Sequence, residues 1–486
     1  MNARHDARNR APALTFYGAA GTVTGSKFLI DSAGGRLMVD CGLYQGEKRW
    51  RERNWEEFPI PPDSIDAVAL THAHLDHCGY LPALVRGGFA GPAVTTAGTA
   101  ALAAVILRDS AHLQEEEAEG ARRGGWSRHD PPLPLYDVAD AERAIAALQP
   151  LAPAAARAAG SGTATGGAGL TSQTVRVGPG PGAEVTFVRA GHILGSSSVL
   201  VELDGSSVLF SGDLGRPDHP VLLPRARPPA ARSVVIESTY GDRAHPEVDA
   251  EHHVMADAIR RTIGRGGSVV IPAFAVDRTE IVLLAIADLV ERHAIPDVPI
   301  SVDSPMALAA LDIYRDPAHA AEVRPGVLDR LRRLHGLRSA HTAEESMRLN
   351  TPGTPCIIVS ASGMATGGRV IHHLRHLLPQ ARNSVLLTGY QAIGTRGRDL
   401  QEGAREVKIA GRYVPVRAEI VTLDDFSVHA DADELLAWLG ELPHRPETVH
   451  VVHGEPAAAR ALADGIREQF DCAVSVPRYG ERVLLD

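Results

Sequence analysis

Short apolar runs bounded by glycine or polar residues alternate along the chain with longer segments of helical periodicity. Near the beginning, ALTFYG, SKFLID and RLMVD have the apolar content and the glycine-rich separators of consecutive β-strands. The run IDAVAL then stops at THAHLDHCGY, and the segments LPALVRG and TAALAAVILRDSAHLQ that follow have helical periodicity. The pattern predicts an opening β-sheet followed by helices, with a hairpin at GAAGTVTGS.

Between Leu148 and Gly182 the chain is rich in Ala, Gly, Ser and Thr and lacks the apolar periodicity of a core element. This composition predicts a surface loop or an insertion. Strand-like segments resume with AEVTFVRAGH, SSVLVELD, SSVLFSGD and SVVIESTYGD, which together predict a second sheet.

From about Gly241 to Phe426 each strand leads into a helix, as in GSVVIPAFAVDRTEIVLLAIADLVERH and CIIVSASGMATGGRVIHHLRHLL. This alternation predicts a parallel or mixed sheet covered by helices. After Phe426 the chain returns to short strands that carry further candidate site histidines. We therefore predict one domain built from residues 1–241 and 427–486, with residues 242–426 inserted as a second domain.

Composition narrows the class of protein. The length of 486 residues favours two domains, and 44% hydrophobic with 22% charged residues is typical of a globular protein. No apolar run approaches the roughly 18 residues of a membrane span, so no membrane partner is expected. Four scattered cysteines favour a reducing compartment, with the cytoplasm as the expected location. A net charge of −10 argues against a basic coat for nucleic acid but leaves a local positive cleft open.

The strongest chemical signal is the segment His72-Ala-His74-Leu-Asp76-His77. In an extended segment side chains alternate between faces, so His72 and His74 point the same way. The turn that follows can bring Asp76 and His77 to a second point nearby. Imidazole and carboxylate are the ligands that zinc prefers at a catalytic site, so this segment predicts a zinc centre.

Further candidate ligands stand at the ends of predicted strands, namely His192 in RAGH, Asp213 in FSGD and His453 in VVHGE. We predict that one zinc ion takes His72, His74 and His192 and a second takes Asp76, His77 and His453, with Asp213 bridging them. Mn²⁺ is the alternative metal for such a His/Asp site. Two metals polarise a shared water to hydroxide, which indicates hydrolysis rather than redox chemistry.

The order Asp40, HAHLDH, GH and GD resembles the metallo-β-lactamase superfamily. ESTYGDR, FSVHAD and VVHGE resemble the three added motifs of its β-CASP branch, whose members process nucleic acids. PAFAVDR, SASGMATGG and GYQAIGTRGRDL are similar to the bacterial members that resemble the cleavage-and-polyadenylation endonuclease subunit, which are ribonucleases. The resemblance implies an α/β fold, a four-layer αββα metallo-β-lactamase domain with an inserted α/β β-CASP domain.

By this resemblance, Glu237, His429 and His453 occupy the first, second and third added motifs. Phosphodiester cleavage needs an acid that protonates the departing oxygen, and His429 is our candidate for that acid. Glu237 is expected to hold the His429 imidazole and to favour its protonated form. Asp40 is expected to orient a metal-binding histidine or a water. Asp76 is expected to be both a metal ligand and a catalytic residue.

Candidate substrate contacts lie in the predicted second domain. A strand end followed by a helix beginning near Gly367 can hold a phosphate through backbone N–H groups and hydroxyls. Guanidinium groups of nearby arginines can grip neighbouring phosphates. The predicted substrate-binding residues are Ser360, Ser362, Gly363, Arg278, Arg369 and Arg396.

The leading interpretation is a zinc-dependent ribonuclease that hydrolyses single-stranded RNA through a two-metal bridging hydroxide, because buried cleavage requires an exposed backbone. The alternative is a metallo-hydrolase of small esters, thioesters or lactams, which would need neither His429 with Glu237 nor a large second domain. A noncatalytic RNA-binding scaffold would have lost ligands that this chain retains. The sequence leaves open cleavage within or from an end of the RNA, DNA as substrate, and pairing into a homodimer.

Overall fold

The computed structural model describes residues 11–124, 131–151, 170–175, 182–246, 249–333 and 337–485. The chain divides into two compact units, one formed by Met1–Gln45, Arg49–Ala244 and His429–Asp486 and the other by Gly46–Lys48 and His245–Val428. Most of the Ala/Gly-rich stretch that we predicted as a loop lies outside the described residues. Where this stretch is described, the chain forms short strands instead of a loop, Leu148–Pro150 and Leu170–Val175.

The strands of the first unit are β1 (Ala13–Phe16), β2 (Phe28–Ser32), β3 (Gly35–Val39), β4 (Ala67–Ala69), β5 (Ala93–Thr95), β6 (Leu148–Pro150), β7 (Leu170–Val175), β8 (Ala183–Arg189), β9 (Ser197–Leu203), β10 (Ser206–Phe210), β11 (Ser233–Ile236), β20 (Thr448–Val451), β21 (Ala473–Ser475) and β22 (Arg482–Leu484). Those of the second are β12 (Val269–Pro272), β13 (Ile300–Val302), β14 (Leu337–Ser339), β15 (Ile357–Ser360), β16 (Ser384–Leu387), β17 (Glu406–Ile409), β18 (Arg412–Pro415) and β19 (Glu419–Thr422).

The helices, in chain order, are α1 (Lys48–Arg53), α2 (Leu75–Cys78), α3 (Leu81–Arg86), α4 (Ala97–Gly124), α5 (Val138–Ala146), α6 (His253–Gly264), α7 (Arg278–Glu291), α8 (Pro305–Arg315), α9 (Val327–Arg332), α10 (Ala343–Leu349), α11 (Val370–Leu377), α12 (Arg396–Gln401), α13 (Ala432–Gly440) and α14 (Pro456–Gln469). Short 3₁₀ helices lie at Pro62–Ser64, Pro317–His319 and Asp424–Phe426. Among the described helices, even the 28-residue α4 lacks the apolar stretch that a membrane crossing requires.

Two seven-stranded sheets form the centre of the first unit. Sheet 1 has the order β22-β1-β2-β3-β4-β5-β6, and sheet 2 has the order β21-β20-β11-β10-β9-β8-β7. The predicted hairpin is present, since β1 pairs with β2 in an antiparallel register that places Phe16 opposite Phe28. Side chains of both sheets, such as Phe28 and Phe210, share one buried core, so the sheets lie face to face.

Helices cover the outer faces of this sandwich because some of its strands are apolar on both sides. In β10, Val208 and Phe210 belong to the core between the sheets, whereas Leu209 belongs to a second core with Trp438 of α13 and Leu462 of α14. On the side of sheet 1, α3, α4 and α5 pack together and α4 contacts β6. This confirms the predicted four-layer α/β architecture.

The second unit is built on a six-stranded sheet with the order β14-β13-β15-β12-β16-β19, and every pairing in it is parallel. Its four-residue strands β12, β15 and β16 are buried along their whole length, as expected for a sheet covered by helices on both faces. The predicted parallel α/β sheet is therefore confirmed. A separate hairpin, β17–β18, is antiparallel.

Glu280, in the first turn of α7, is a buried carboxyl whose replacement by Gln is expected to stabilise the fold. Its side chain is fully buried, and no other side chain of the described residues hydrogen-bonds to its oxygens. Burial, reinforced by Asp277, raises its pKa well above the ordinary 4.5. Above pH 4.5 the unfolded chain releases a proton that the folded chain keeps, so stability is lost as pH rises toward the folded pKa.

At neutral pH we expect Glu280→Gln to raise the free energy of unfolding by about 1–3 kcal/mol, because an amide avoids the proton uptake on folding that the buried carboxyl requires, and each unit of raised pKa corresponds to about 1.4 kcal/mol. The gain should vanish below pH 4, where both states are protonated. Urea unfolding at pH 4 and pH 7 measures both values. The matched control is Glu291→Gln at the exposed end of the same helix, for which no change is expected. Equal stabilities of Glu280→Gln and wild type at pH 7 would contradict the prediction.

Candidate metal centre

The candidate ligands lie where strands of the first unit end. Strands β8, β10, β11 and β20 run in one direction within sheet 2, and β3 and β4 are parallel in sheet 1. Asp40 follows β3 and the HAHLDH segment follows β4, while His192, Asp213 and His453 follow β8, β10 and β20. Because carboxyl ends of parallel strands share one edge of a sheet, side chains far apart in sequence meet at one place.

Three imidazole nitrogens and one carboxylate oxygen form a first group. His74 Nδ1 lies 3.1 Å from His72 Nε2 and 3.3 Å from His192 Nε2. Asp213 Oδ2 lies 3.5 Å from His72 Nε2 and 3.6 Å from His192 Nε2. Ligands about 2.0–2.2 Å from a tetrahedral zinc ion are roughly 3.3 Å from one another, so these four atoms fit the edges of such a site.

A second group lies on the other side of the Asp213 carboxylate. His77 Nε2 lies 3.1 Å from His453 Nε2, which in turn lies 3.5 Å from Asp76 Oδ2. Asp213 Oδ1 lies 3.2 Å from His77 Nε2 and 3.6 Å from His453 Nδ1. Asp213 thus presents one oxygen to each group, which is the arrangement that a bridging ligand requires.

The imidazoles of the first group are neutral because they are buried. Burial lowers the pKa of His72 well below its ordinary value, and neighbouring His77 lowers it further. Burial lowers the pKa of His74 to about 4, and burial with His429 lowers that of His192. Zinc coordinates the neutral imidazole, so these residues are in the protonation state that binding needs.

The second group has more carboxylates around its imidazoles than the first group has. Burial alone would lower the pKa of His77, but Asp213 and Asp40 outweigh burial and raise it well above its ordinary value. Asp213 and Asp76 likewise raise the pKa of His453 against the effect of burial. An incoming cation would replace protons here, as metal binding commonly does.

Asp40 and Thr71 fix the ring orientation of two candidate ligands. Asp40 Oδ2 lies 2.8 Å from His77 Nδ1, and Oδ1 accepts the backbone N–H of Thr71 at 2.8 Å. The Thr71 hydroxyl donates to Asp40 Oδ2 at 2.9 Å, which leaves its oxygen to accept from His72 Nδ1 at 3.0 Å. Both rings therefore direct Nε2 toward the metal groups. Our sequence analysis missed Thr71, although a hydroxyl directly before HAHLDH was a visible signal.

His453 is held in an unusual backbone conformation, with φ of 50°. Its N–H donates to the carbonyl of Ala19 at 2.8 Å, and its carbonyl accepts the N–H of Ser238 at 3.2 Å. Thr239 Oγ1 lies 3.2 Å from His453 Nδ1, which leaves Nε2 facing His77. A left-handed non-glycine residue persists only where its surroundings determine it, and two separate segments do so here. Sequence analysis did not single out Thr239 or Ala19.

His429 and Glu237 lie beside the first group. His429 Nδ1 lies 3.4 Å from Glu237 Oε2 and 3.9 Å from Asp213 Oδ2, and its ring packs 4.4 Å from that of His192. Glu237 is buried and accepts the backbone N–H of Leu214 through Oε1. The carbonyl of Leu214 in turn accepts the N–H of Ala430. These bonds fix the carboxylate and the chain segment that carries the imidazole.

In the second unit, two of the predicted phosphate-binding arginines engage other protein groups. Arg369 donates to Asp303 Oδ1 at 2.7 Å and to the carbonyls of Ala340 and His341. Arg396 donates to the carbonyls of Lys408, Ala365 and Thr366. Their substrate role stays a prediction that requires some of these donors to be released.

The remaining predicted contacts differ in accessibility. Ser360 is buried and donates to the carbonyl of Asp303 at 2.8 Å, whereas Ser362 is partly exposed and its Oγ accepts the N–H of Thr366 at 3.0 Å. Gly363 is buried against Phe274, and Arg278 is 4% exposed. The following helix begins at Val370 and not near Gly367, because Gly368 adopts φ of 69°.

Comparison with known proteins gives three family matches within this chain. Residues 20–273 match the metallo-beta-lactamase superfamily, residues 279–400 the Beta-Casp domain, and residues 413–477 the Zn-dependent metallo-hydrolase RNA specificity domain. A ribonuclease of Thermus thermophilus is 35% identical, with 96% of this chain and 98% of the relative covered.

Two archaeal relatives from Methanocaldococcus jannaschii match as much of this chain. An RNase J-like protein is 30% identical, with 96% of this chain and 98% of the relative covered. Transcription termination factor FttA is 27% identical, with 96% of this chain and 70% of the relative covered. Together with the family matches, these likenesses establish that the chain belongs to the β-CASP branch of the metallo-β-lactamase superfamily.

Proposed function

We propose that this chain is a metal-dependent ribonuclease that hydrolyses phosphodiester bonds of single-stranded RNA. The observation that carries the proposal is Asp213, whose two oxygens face two groups of buried imidazole and carboxylate ligands. The choice of RNA is supported by the RNA specificity match at 413–477 and by relatives named as ribonuclease and RNase J-like protein.

The donor set favours two zinc ions, with Mn²⁺ as the alternative. One ion would be held by His72, His74 and His192, and the other by Asp76, His77 and His453. Asp213 would be a ligand of both ions. When bound, the ions would activate water and offset the charge of the phosphate. The match of residues 413–477 to a zinc-dependent hydrolase family supports this choice of metal.

The chain's own side chains supply the rest of the proposed chemistry. His429 would donate a proton to the departing oxygen of the cleaved bond, and Glu237 would keep the imidazole oriented from the side of Nδ1. Asp40 would hold His77 through Nδ1, and Thr71 would hold His72 in the same way. Each of these contacts fixes a ring before substrate arrives, which lowers the cost of reorganisation during the reaction.

We further propose that residues 1–241 and 427–486 form the catalytic domain and that residues 242–426 form an inserted domain that contributes Ser360, Ser362, Gly363, Arg278, Arg369 and Arg396 to RNA binding. The cytoplasm is the proposed location, supported by four cysteines that form no disulfide. A homodimer is compatible with this proposal and is not required by it.

Hydrolysis of small esters, thioesters or lactams is not favoured. Nothing in such a reaction calls for an RNA specificity domain, and the three relatives described above carry names that refer to RNA or to transcription. The described residues also retain every predicted ligand, which disfavours a noncatalytic scaffold.

The decisive experiment incubates the purified protein with end-labelled single-stranded RNA. We expect cleavage that a chelator reduces at least about 100-fold and that added Zn²⁺ or Mn²⁺ restores, since the metals supply most of the charge stabilisation. The same RNA annealed into a duplex and a p-nitrophenyl ester serve as comparison substrates. If metal-loaded protein leaves the RNA intact and hydrolyses the ester, the ribonuclease proposal is wrong.

A further inference from the structure

Lys27 is a buried cation close to the candidate metal centre. The residue is 4% exposed and directly precedes β2. Its ammonium donates to the carbonyl of Gly42 and lies 4.7 Å from the ring centroid of Tyr44 and 4.7 Å from that of Tyr80. Two aromatic faces and one carbonyl thus surround a charge that is otherwise costly to bury.

The Gly42 carbonyl belongs to a segment that lies against the turn carrying Asp76 and His77. Cys41 N–H donates to the carbonyl of His77 at 2.7 Å, and Leu43 N–H donates to the carbonyl of Leu75 at 2.7 Å. A side chain on Gly42 would come within 1.7 Å of the Asp76 carbonyl oxygen, so only glycine permits this approach. A shift of residues 41–43 would therefore move both candidate ligands.

Lys27 and its neighbour Ser26 both form hydrogen bonds with Gly42. Gly42 N–H donates to the Ser26 carbonyl at 2.9 Å, while the Gly42 carbonyl accepts from the Lys27 ammonium. Ser26 N–H donates to the Asp76 carbonyl at 2.8 Å. The Lys27 side chain is therefore hydrogen-bonded directly to the segment that sets the position of the HAHLDH turn.

The rings around Lys27 are themselves fixed. Tyr44 exchanges two backbone hydrogen bonds with the side chain of Asn54, at 2.9 and 2.8 Å, and its hydroxyl donates to the Tyr17 carbonyl. Tyr80 N–H donates to the Cys41 carbonyl at 2.8 Å, and Phe58 stacks on its ring at 5.6 Å. The ammonium is therefore enclosed by groups that cannot easily turn away.

We propose that Lys27 is a positioning residue of the metal centre, in which the ammonium enclosed by Tyr44 and Tyr80 fixes the Gly42 carbonyl and, through residues 41–43, the turn of Asp76 and His77. This inference rests on the proposed function, since it assumes that these residues bind metal. An apolar side chain of the same volume would cost less to bury. We therefore attribute the charge of Lys27 to holding residues 41–43 in position.

The charge state of Lys27 gives a readout that a packing role would not share. Burial lowers its pKa to about 8, against the opposing effect of Cys41. The groups that face it titrate later, because burial raises the pKa of Tyr80 and of the Cys41 thiol to about 12 and that of Tyr44 further still. Lys27 is thus the group in this enclosure that changes charge near pH 8.

The test compares wild type with Lys27→Met by chelator competition for Zn²⁺ and by the visible spectrum of the Co²⁺ form. At pH 7 we expect Lys27→Met to bind metal about tenfold more weakly, the lower end of the loss typical when support of a ligand is removed. The Co²⁺ spectrum should change, and thermal stability should be equal or higher. The difference in affinity should shrink as pH rises from 7 to 9, because wild type then loses its charge.

Tyr80→Leu keeps the lysine but removes one aromatic face and should weaken metal binding similarly, whereas the matched control Tyr80→Phe should bind as wild type does. These variants also decide the matter if Lys27→Met does not fold. Unchanged affinity and Co²⁺ spectra in Lys27→Met or in Tyr80→Leu overturn the inference while leaving the proposed function intact. A wild-type chain that binds no metal overturns both.

Discussion

Replacing Asp213 by Asn is expected to reduce metal binding at both groups and to lower RNA hydrolysis by about three orders of magnitude. Asp213 faces His72 and His192 through Oδ2 and His77 and His453 through Oδ1. An amide offers one oxygen and no charge, so it cannot serve both groups. Catalytic metals contribute several kcal/mol, and each 1.36 kcal/mol is a tenfold change in rate.

Metal content per chain and the cleavage rate of end-labelled RNA measure the effect of this substitution. The matched control is Asp218→Asn in the same loop, where the carboxylate is exposed and pairs with Arg216 at 3.5 Å. That variant should retain metal and activity. An Asp213→Asn protein that keeps two metals and cleaves within tenfold of wild type would falsify the assignment of Asp213 as the shared ligand.

The electrostatics explain why we expect a neutral substitute for Asp213 to fail. Although burial opposes ionisation, His453, His77 and His72 lower the pKa of Asp213 well below its ordinary value, so the carboxylate is charged throughout the neutral range. The same carboxylate raises the pKa of His77 and of His453. Without this charge, two metal cations would face a set of mostly neutral imidazoles and would repel each other with less compensation.

Several parts of this centre follow from simple rules of sequence. The period of a strand places His72 and His74 on one side, and apolar runs that end in GH, GD and VVH locate His192, Asp213 and His453 at strand ends. The two metal groups that we predicted correspond to residues that the fold brings within 4.8 Å of one another. Local pattern suffices here because each ligand is placed by its own strand.

What the sequence does not reveal depends on contacts between distant segments. Thr71 stands directly before HAHLDH, but its role depends on Asp40, 31 residues away, which accepts its hydroxyl hydrogen. The left-handed backbone of His453 depends on a carbonyl of Ala19. Lys27 is the clearest case, because a single lysine in an apolar context gives no indication that two tyrosines enclose it. Such residues need the tertiary structure to be recognised.

The arginines of the second unit, in contrast, have a clear sequence signal, but their donors already have acceptors in the folded chain. A guanidinium near a glycine-rich loop predicts phosphate binding from sequence, yet Arg396 donates to backbone carbonyls of that same loop and Arg369 donates to the carbonyls of Ala340 and His341. The donors of a buried arginine are shared between folding and ligand binding, and only the structure reports which acceptors they already have.

Replacing His429 by Gln should lower RNA cleavage by about 10²- to 10⁴-fold with metal content unchanged, the range typical of a lost general acid. His429 belongs to neither candidate metal group, and Glu237 at 3.4 Å occupies the side of Nδ1. Gln keeps a similar size and a hydrogen-bond donor but cannot release a proton. His444→Gln, at an exposed position of the same unit, is the matched control and should retain full activity.

The leaving group distinguishes proton donation from any other contribution of His429. Departure of a ribose oxygen requires protonation, whereas p-nitrophenolate departs without it, so a nucleoside 5′-p-nitrophenyl phosphate bypasses the acid. We expect His429→Gln to lose less than tenfold on that substrate while losing the full amount on RNA. Equal losses on both substrates would instead indicate that the imidazole orients the phosphate or supports the metal groups.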